Sequence, residues 1–126
     1  MAKVRGGTRI AGQGGNWIRA PKRYAIYCRD GVACVYCGAS LADGAVMTLD
    51  HLLPCSLGGS NSERNLVTAC RPCNSARQDM ALRDWLIVLA DRGVDTTGLA
   101  AKIRSHTRRS LTPYMAAARQ LLRDAR

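Results

Sequence analysis

The chain alternates short apolar runs with polar punctuation, and its most regular signal lies in the C-terminal half. Leu82, Trp85, Leu86 and Leu89 fall at i, i+3, i+4 and i+7, an apolar stripe that predicts a helix ended by Gly93. A second helix is expected from about Thr97 to Ser105. A third is announced by Thr112-Pro113, a capping residue followed by proline, with Tyr114, Ala118, Leu121 and Leu122 on its apolar face. Upstream, Pro21 suits a first helical position and Gly31 a C-terminal cap, so a short helix is predicted from Pro21 to about Arg29. Val46 to Leu49 reads as a short buried strand running into Asp50 and His51, and Leu66-Val67 offers a brief second one. Between them, Pro54 to Arg64 is a loop of glycine, serine and asparagine, and Asn74-Ser-Ala-Arg77 looks like a helix start. Residues 1–16 are basic and glycine-rich without periodicity and are expected to form a flexible arm.

Composition narrows what such a chain does. At 126 residues it is one domain's worth of sequence, and a core this small gains from an added cross-link. The net charge of +10 favours a polyanionic partner, nucleic acid being the usual one. Only Lys3, Lys22 and Lys102 are lysines, and every other basic residue is arginine, the better planar partner for phosphate. The N-terminus has no apolar signal region, and the longest apolar run, Trp85 to Ala90, is far too short to span a bilayer. An intracellular location follows as the expectation, with no membrane partner. In that reducing setting six cysteines read as metal ligands before disulfides.

Four of the six are ordered. Cys34-x-x-Cys37 and Cys70-x-x-Cys73 form two knuckles, in each of which a two-residue spacing turns both thiolates toward one ion. Two knuckles complete a tetrahedral site with no open position, so the zinc they predict is structural. The spacer between them is long enough to hold a functional element. Cys28 reads as a small core hydrophobe and Cys55 as an incidental free thiol in the polar loop.

That spacer carries Leu49-Asp50-His51, Pro54, Ser56 and Gly58-Gly59, then Asn65-Leu66-Val67, and it closes on Cys70-x-x-Cys73-Asn74-x-x-Arg77. The series closely resembles the HNH endonuclease family in its zinc-stapled form, small phage and bacterial members included. Trp17-Ile-Arg19, Ala25-Ile-Tyr27 and Arg29-Asp30-Gly31 are similar to the lead-in of such members, so the resemblance covers roughly Trp17 to Trp85. It implies an α+β fold, a ββα-metal core stapled by the four-cysteine zinc site, with flanking α-helices. The expected organisation is a basic arm at 1–16, a nuclease domain at 17–80 and a helical extension at 81–126. Cys55 departs from the pattern, which often has a basic or polar residue there.

Hydrolysis of a phosphodiester needs a base for water, charge stabilisation at phosphorus and help for the leaving oxygen. His51 is one of two histidines and the one inside the motif, and a histidine near neutral pH can take a proton from water. The resemblance implies that Asp50 and Asn74 hold one divalent cation; two oxygen ligands suit magnesium or manganese. It also implies that Asn65 orders the loop without ligating and that Arg77 contacts phosphate, with Arg64 and Arg71 as further contacts to DNA. Trp17, Tyr24, Tyr27 and Tyr36 read as packing residues before base-stacking ones, and His106 as part of a solvated basic face. Two rival readings stay open at this point. One is a catalytically silent zinc module that binds nucleic acid, and the other is an adaptor whose C-terminal helices dock a phage packaging protein.

Overall fold

The computed structural model describes residues 17–125, so the arm expected at 1–16 lies outside the described residues. The elements are α1 (Ala20–Arg29), β1 (Met47–His51), β2 (Leu66–Cys70), α2 (Arg71–Arg77), α3 (Leu82–Asp91), α4 (Leu99–Arg108) and α5 (Met115–Asp124). Three short 3-10 turns stand at Cys55–Leu57, Glu63–Asn65 and Thr112–Tyr114. The class is α+β. β1 and β2 pair antiparallel with Met47 opposite Cys70 and His51 opposite Leu66, and α2 follows β2 directly.

Each departure from the sequence expectation has a local cause. β2 runs five residues instead of two because all five are buried and each pairs with β1. α2 starts at Arg71, not Asn74, with Pro72 in its first turn, where a missing N–H costs nothing. It therefore carries Cys73 inside the helix. α4 begins later and ends later than expected, after Gly98 in the left-handed region at φ 70°. Thr112 opens a 3-10 turn, not the helix proper, and its N–H is satisfied by Ser110 Oγ at 3.2 Å.

The two faces of the ribbon bury different partners. Period-two alternation sends Met47 and Leu49, with Leu66 from β2, to one face, where Tyr24, Ile26 and Tyr27 of α1 and Ala118 of α5 cover them. Val67 and Ala69 point to the other face, against Val35 and Tyr36 of the first knuckle, Trp85 and Leu89 of α3, and Leu99 and Ile103 of α4. α1 is pinned at its C-terminal end by a fully buried ion pair. Arg29 Nε lies 2.8 Å from Asp30 Oδ1, while the same guanidinium donates to the carbonyls of Glu63 and Leu66. Asp30 Oδ2 in turn accepts from Thr68 N–H at 2.9 Å. A buried pair of this kind persists only where its remaining donors and acceptors are met, and here they fasten α1 to β2 and to the loop before it.

Candidate active site and metal centre

The two knuckles converge. The sulfurs of Cys34, Cys37, Cys70 and Cys73 all lie within 4.8 Å of one another, with Cys37 and Cys70 at 3.7 Å. Four sulfurs about 2.3 Å from a tetrahedral zinc are about 3.8 Å apart, so this set fits that ion. The charges agree. A hydrogen bond from Cys73 pulls the Cys34 thiol down to about 5. Burial pushes Cys70 up to about 11, and Cys73 is raised first by its bond to Cys34 and then by burial. Packed together without a cation, the group favours one thiolate and resists the rest; a divalent charge at the centre removes that resistance.

The strand register then separates Asp50 from His51. Asp50 faces the knuckle side and is buried, whereas His51, the last residue of β1, is half-buried at the ribbon's end. Both nevertheless border one cleft of about 330 Å³, together with Cys55, Asn74 and Asp79. Asp50 Oδ2 accepts from the Tyr36 hydroxyl at 2.5 Å and from Arg77 Nη1 at 2.6 Å. Burial first, and the Asp50 charge second, push the Tyr36 hydroxyl well above the usual range, so it stays a donor. Asn74 Nδ2 donates to Thr48 Oγ1 at 2.9 Å and to the Leu49 carbonyl at 3.1 Å. Asp50 and Asn74 are each left with an oxygen, Oδ1, that takes no part in these contacts. A carboxylate oxygen and an amide oxygen are the donor chemistry that a hard divalent cation takes.

Arg77 differs from its expected role. Its side chain has no solvent exposure, and its guanidinium also donates to the carbonyls of Met80, His51 and Leu52. No donor is left facing solvent for a phosphate, so Arg77 braces Asp50 and the chain after His51 from within. Arg64 and Arg71 are exposed and remain available to an anion. His106 is not on a solvated face: its Nδ1 lies 3.5 Å from Asp30 Oδ1, with its side chain largely covered. Cys28 is half-buried against the α1–α5 core.

Asn65 clamps the loop between the strands. Its Oδ1 accepts from Leu53 N–H at 2.8 Å, and its Nδ2 donates to the Leu53 and Ser60 carbonyls at 3.1 and 2.9 Å. Gly59 is required beside it, since a Cβ there would stand 1.7 Å from the Leu53 carbonyl oxygen. Three contacts at His51 had no clear signal in the sequence. Asn61 Oδ1 is 2.9 Å and Cys55 Sγ 3.3 Å from its Nε2, and the Trp17 ring packs on it at 5.1 Å between centroids. Asn61 reads in sequence as one more polar loop residue, and Trp17 as packing.

Residues 34–84 match the family profile described as HNH endonuclease. A CRISPR-associated endonuclease Cas9 from Actinomyces naeslundii is 38% identical over 56 residues, which is 44% of this chain and 5% of that protein. The chain thus spans a small fraction of that curated relative. No solved structure matches significantly. The stretch from the first knuckle to the start of α3 is thus the part of the chain that is similar to HNH endonuclease domains.

Proposed function

We propose that the protein is a metal-dependent endonuclease that hydrolyses DNA phosphodiester bonds. The observation that carries this reading is that Asp50 and His51, adjacent on β1, share one cleft with Asn74 although strand alternation turns the two side chains apart. That splits duties between neighbours. Asp50 and Asn74 hold a cation, magnesium or manganese, which when bound supplies positive charge for the scissile phosphate and the leaving oxygen. His51 takes the proton from the attacking water. Tyr36 and Arg77 fix Asp50, and Asn65 fixes the loop, so the reacting groups are set before substrate arrives. Arg64 and Arg71 contribute to binding the DNA backbone, in keeping with the +10 charge. The knuckle zinc is structural. Incubation with supercoiled plasmid and magnesium or manganese tests the reading: nicked or linear product from the wild type, and none from His51→Ala, is expected. Plasmid left intact by wild-type protein in both metals would remove it and leave a binding module.

A further inference from the structure

We infer that Asn61 is a positioning residue that holds His51 as its Nε2–H tautomer, which makes Nδ1 the nitrogen that accepts a proton. The consequence for rate rests on the endonuclease reading above; the tautomer itself does not. The side-chain amide of Asn61 is oriented from both ends. Its Nδ2 donates to the Trp17 carbonyl at 3.3 Å, and its Oδ1 stands 2.9 Å from His51 Nε2. A carbonyl only accepts, so the NH₂ end must face Trp17, and a flipped amide would set two acceptors against each other there. The end that faces His51 is then an oxygen, which also only accepts. Nε2 must therefore bear the hydrogen, and a neutral imidazole has only one, so Nδ1 keeps its lone pair.

The clamp is itself held. Lys22 Nζ donates to the Asn61 carbonyl at 2.9 Å and lies 3.7 Å from Glu63. The Trp17 ring lies against the His51 ring with 35° between planes, and Arg23 covers Trp17 at 5.1 Å, which limits rotation of the imidazole. Cys55 Sγ meets the same nitrogen at 3.3 Å. As a weak acceptor it tolerates an Nε2–H; as a donor it would demand the opposite tautomer, but the thiol is the weaker of the two partners. Trp17 and Lys22 precede residue 34, so part of the setting of this histidine comes from outside the family-matched segment.

The test uses the full chain labelled with ¹⁵N-histidine at a pH above the histidine range. The chain has only two histidines, and a His106→Gln variant assigns the signals. Wild-type His51 should show a protonated Nε2 and an unprotonated Nδ1. Asn61→Ala should shift that ratio and lower kcat on plasmid by about ten- to a hundredfold, with KM, zinc content and melting temperature near wild type. Asn61→Asp, which keeps an acceptor at the same place, should retain the tautomer and most of the rate. Nδ1–H as the main wild-type form, or a ratio that Asn61→Ala leaves unchanged, overturns the inference. If the ratio moves with Asn61 while no variant cuts DNA, the positioning stands and the endonuclease reading falls.

Discussion

Arg77 Nη1 lies 2.6 Å from Asp50 Oδ2 inside the protein, a contact that ties the end of α2 to the strand carrying His51. The guanidinium pairs with the carboxylate that borders the cleft, so Asp50 is oriented by a permanent cation from within the protein. An arginine expected to hold DNA from outside instead holds the cleft from behind.

Arg77→Met should therefore act on stability. It leaves Asp50 buried with Tyr36 as its remaining partner, and breaking a buried pair from one side costs about 3–5 kcal/mol. Denaturant unfolding of the zinc-loaded protein measures this. Arg64→Ala and Arg71→Ala, at exposed positions, should leave the midpoint unchanged, weaken DNA binding and flatten its salt dependence. A wild-type midpoint for Arg77→Met, with only DNA affinity lost, would return Arg77 to the phosphate role.

The four-sulfur cluster predicts about one tightly held zinc per chain by elemental analysis. Its ligands come from the first knuckle and from the β2–α2 junction, so removing the ion should free one side of the core. Cys73→Ser, or chelation of the wild type, is expected to unfold the protein, whereas Cys28→Ser should keep its zinc. Fully folded, zinc-free wild type would contradict this.

His106 predicts a pH dependence of stability. Burial, the largest influence, lowers its pKa from the usual value; Asp30 opposes this, while Arg109, Lys102 and Arg29 reinforce it. The unfolded chain thus takes up a proton at about pH 6.5 while the folded chain still resists it. Stability is complete above that pH and is lost as pH falls through the unfolded value toward the lower folded one. His106→Gln should flatten that slope relative to wild type in paired melts between about pH 7.5 and 5.5. Parallel slopes in the two proteins would show that the acid sensitivity arises elsewhere.

The parts of this molecule legible in sequence are those where one residue type has one dominant use. Paired cysteines two residues apart, Pro21 in a first turn and the Leu82–Leu89 stripe each announce a local geometry, and the knuckles and helices stand where they point. The family pattern likewise brought Asp50, His51 and Asn74 to one cleft. What the sequence concealed are contacts made across the fold by residues with several uses. Arginine is as apt for phosphate as for carboxylate, and only its buried place beside Tyr36, Asp50 and the carbonyls of His51 and Leu52 decides between them for Arg77. Asn61 is 44 residues from Trp17 and 10 from His51, separations that no periodicity encodes. The length of β2 was hidden for a related reason: Ala69 and Cys70 carry no strong strand signal and, with Thr68, are recruited by pairing with β1.

The assignment of chemistry is tested by comparing His51 and Asp50 with substitutions suited to their different surroundings. His51 is half-buried at the end of a strand and its contacts are loop groups, so His51→Ala should fold, retain zinc and bind DNA near wild type. Loss of a positioned base typically lowers the rate by about a hundred- to ten-thousandfold, enough to abolish visible cleavage. Asp50→Ala is a poor probe, because it strands the buried Arg77 charge and confounds lost catalysis with lost stability. Asp50→Asn keeps the shape and an acceptor for Arg77 and Tyr36 while removing the negative charge. It should leave the protein folded but demand far more magnesium or manganese for any cleavage. Asn74→Ala should shift metal dependence in the same direction but less, since a neutral amide contributes less charge to a cation site. The two classes separate when plasmid cleavage is titrated with metal: added cation partly restores Asp50→Asn and does nothing for His51→Ala. Wild-type cutting by His51→Ala, or metal dependence unaltered in Asp50→Asn, would place the chemistry on other residues.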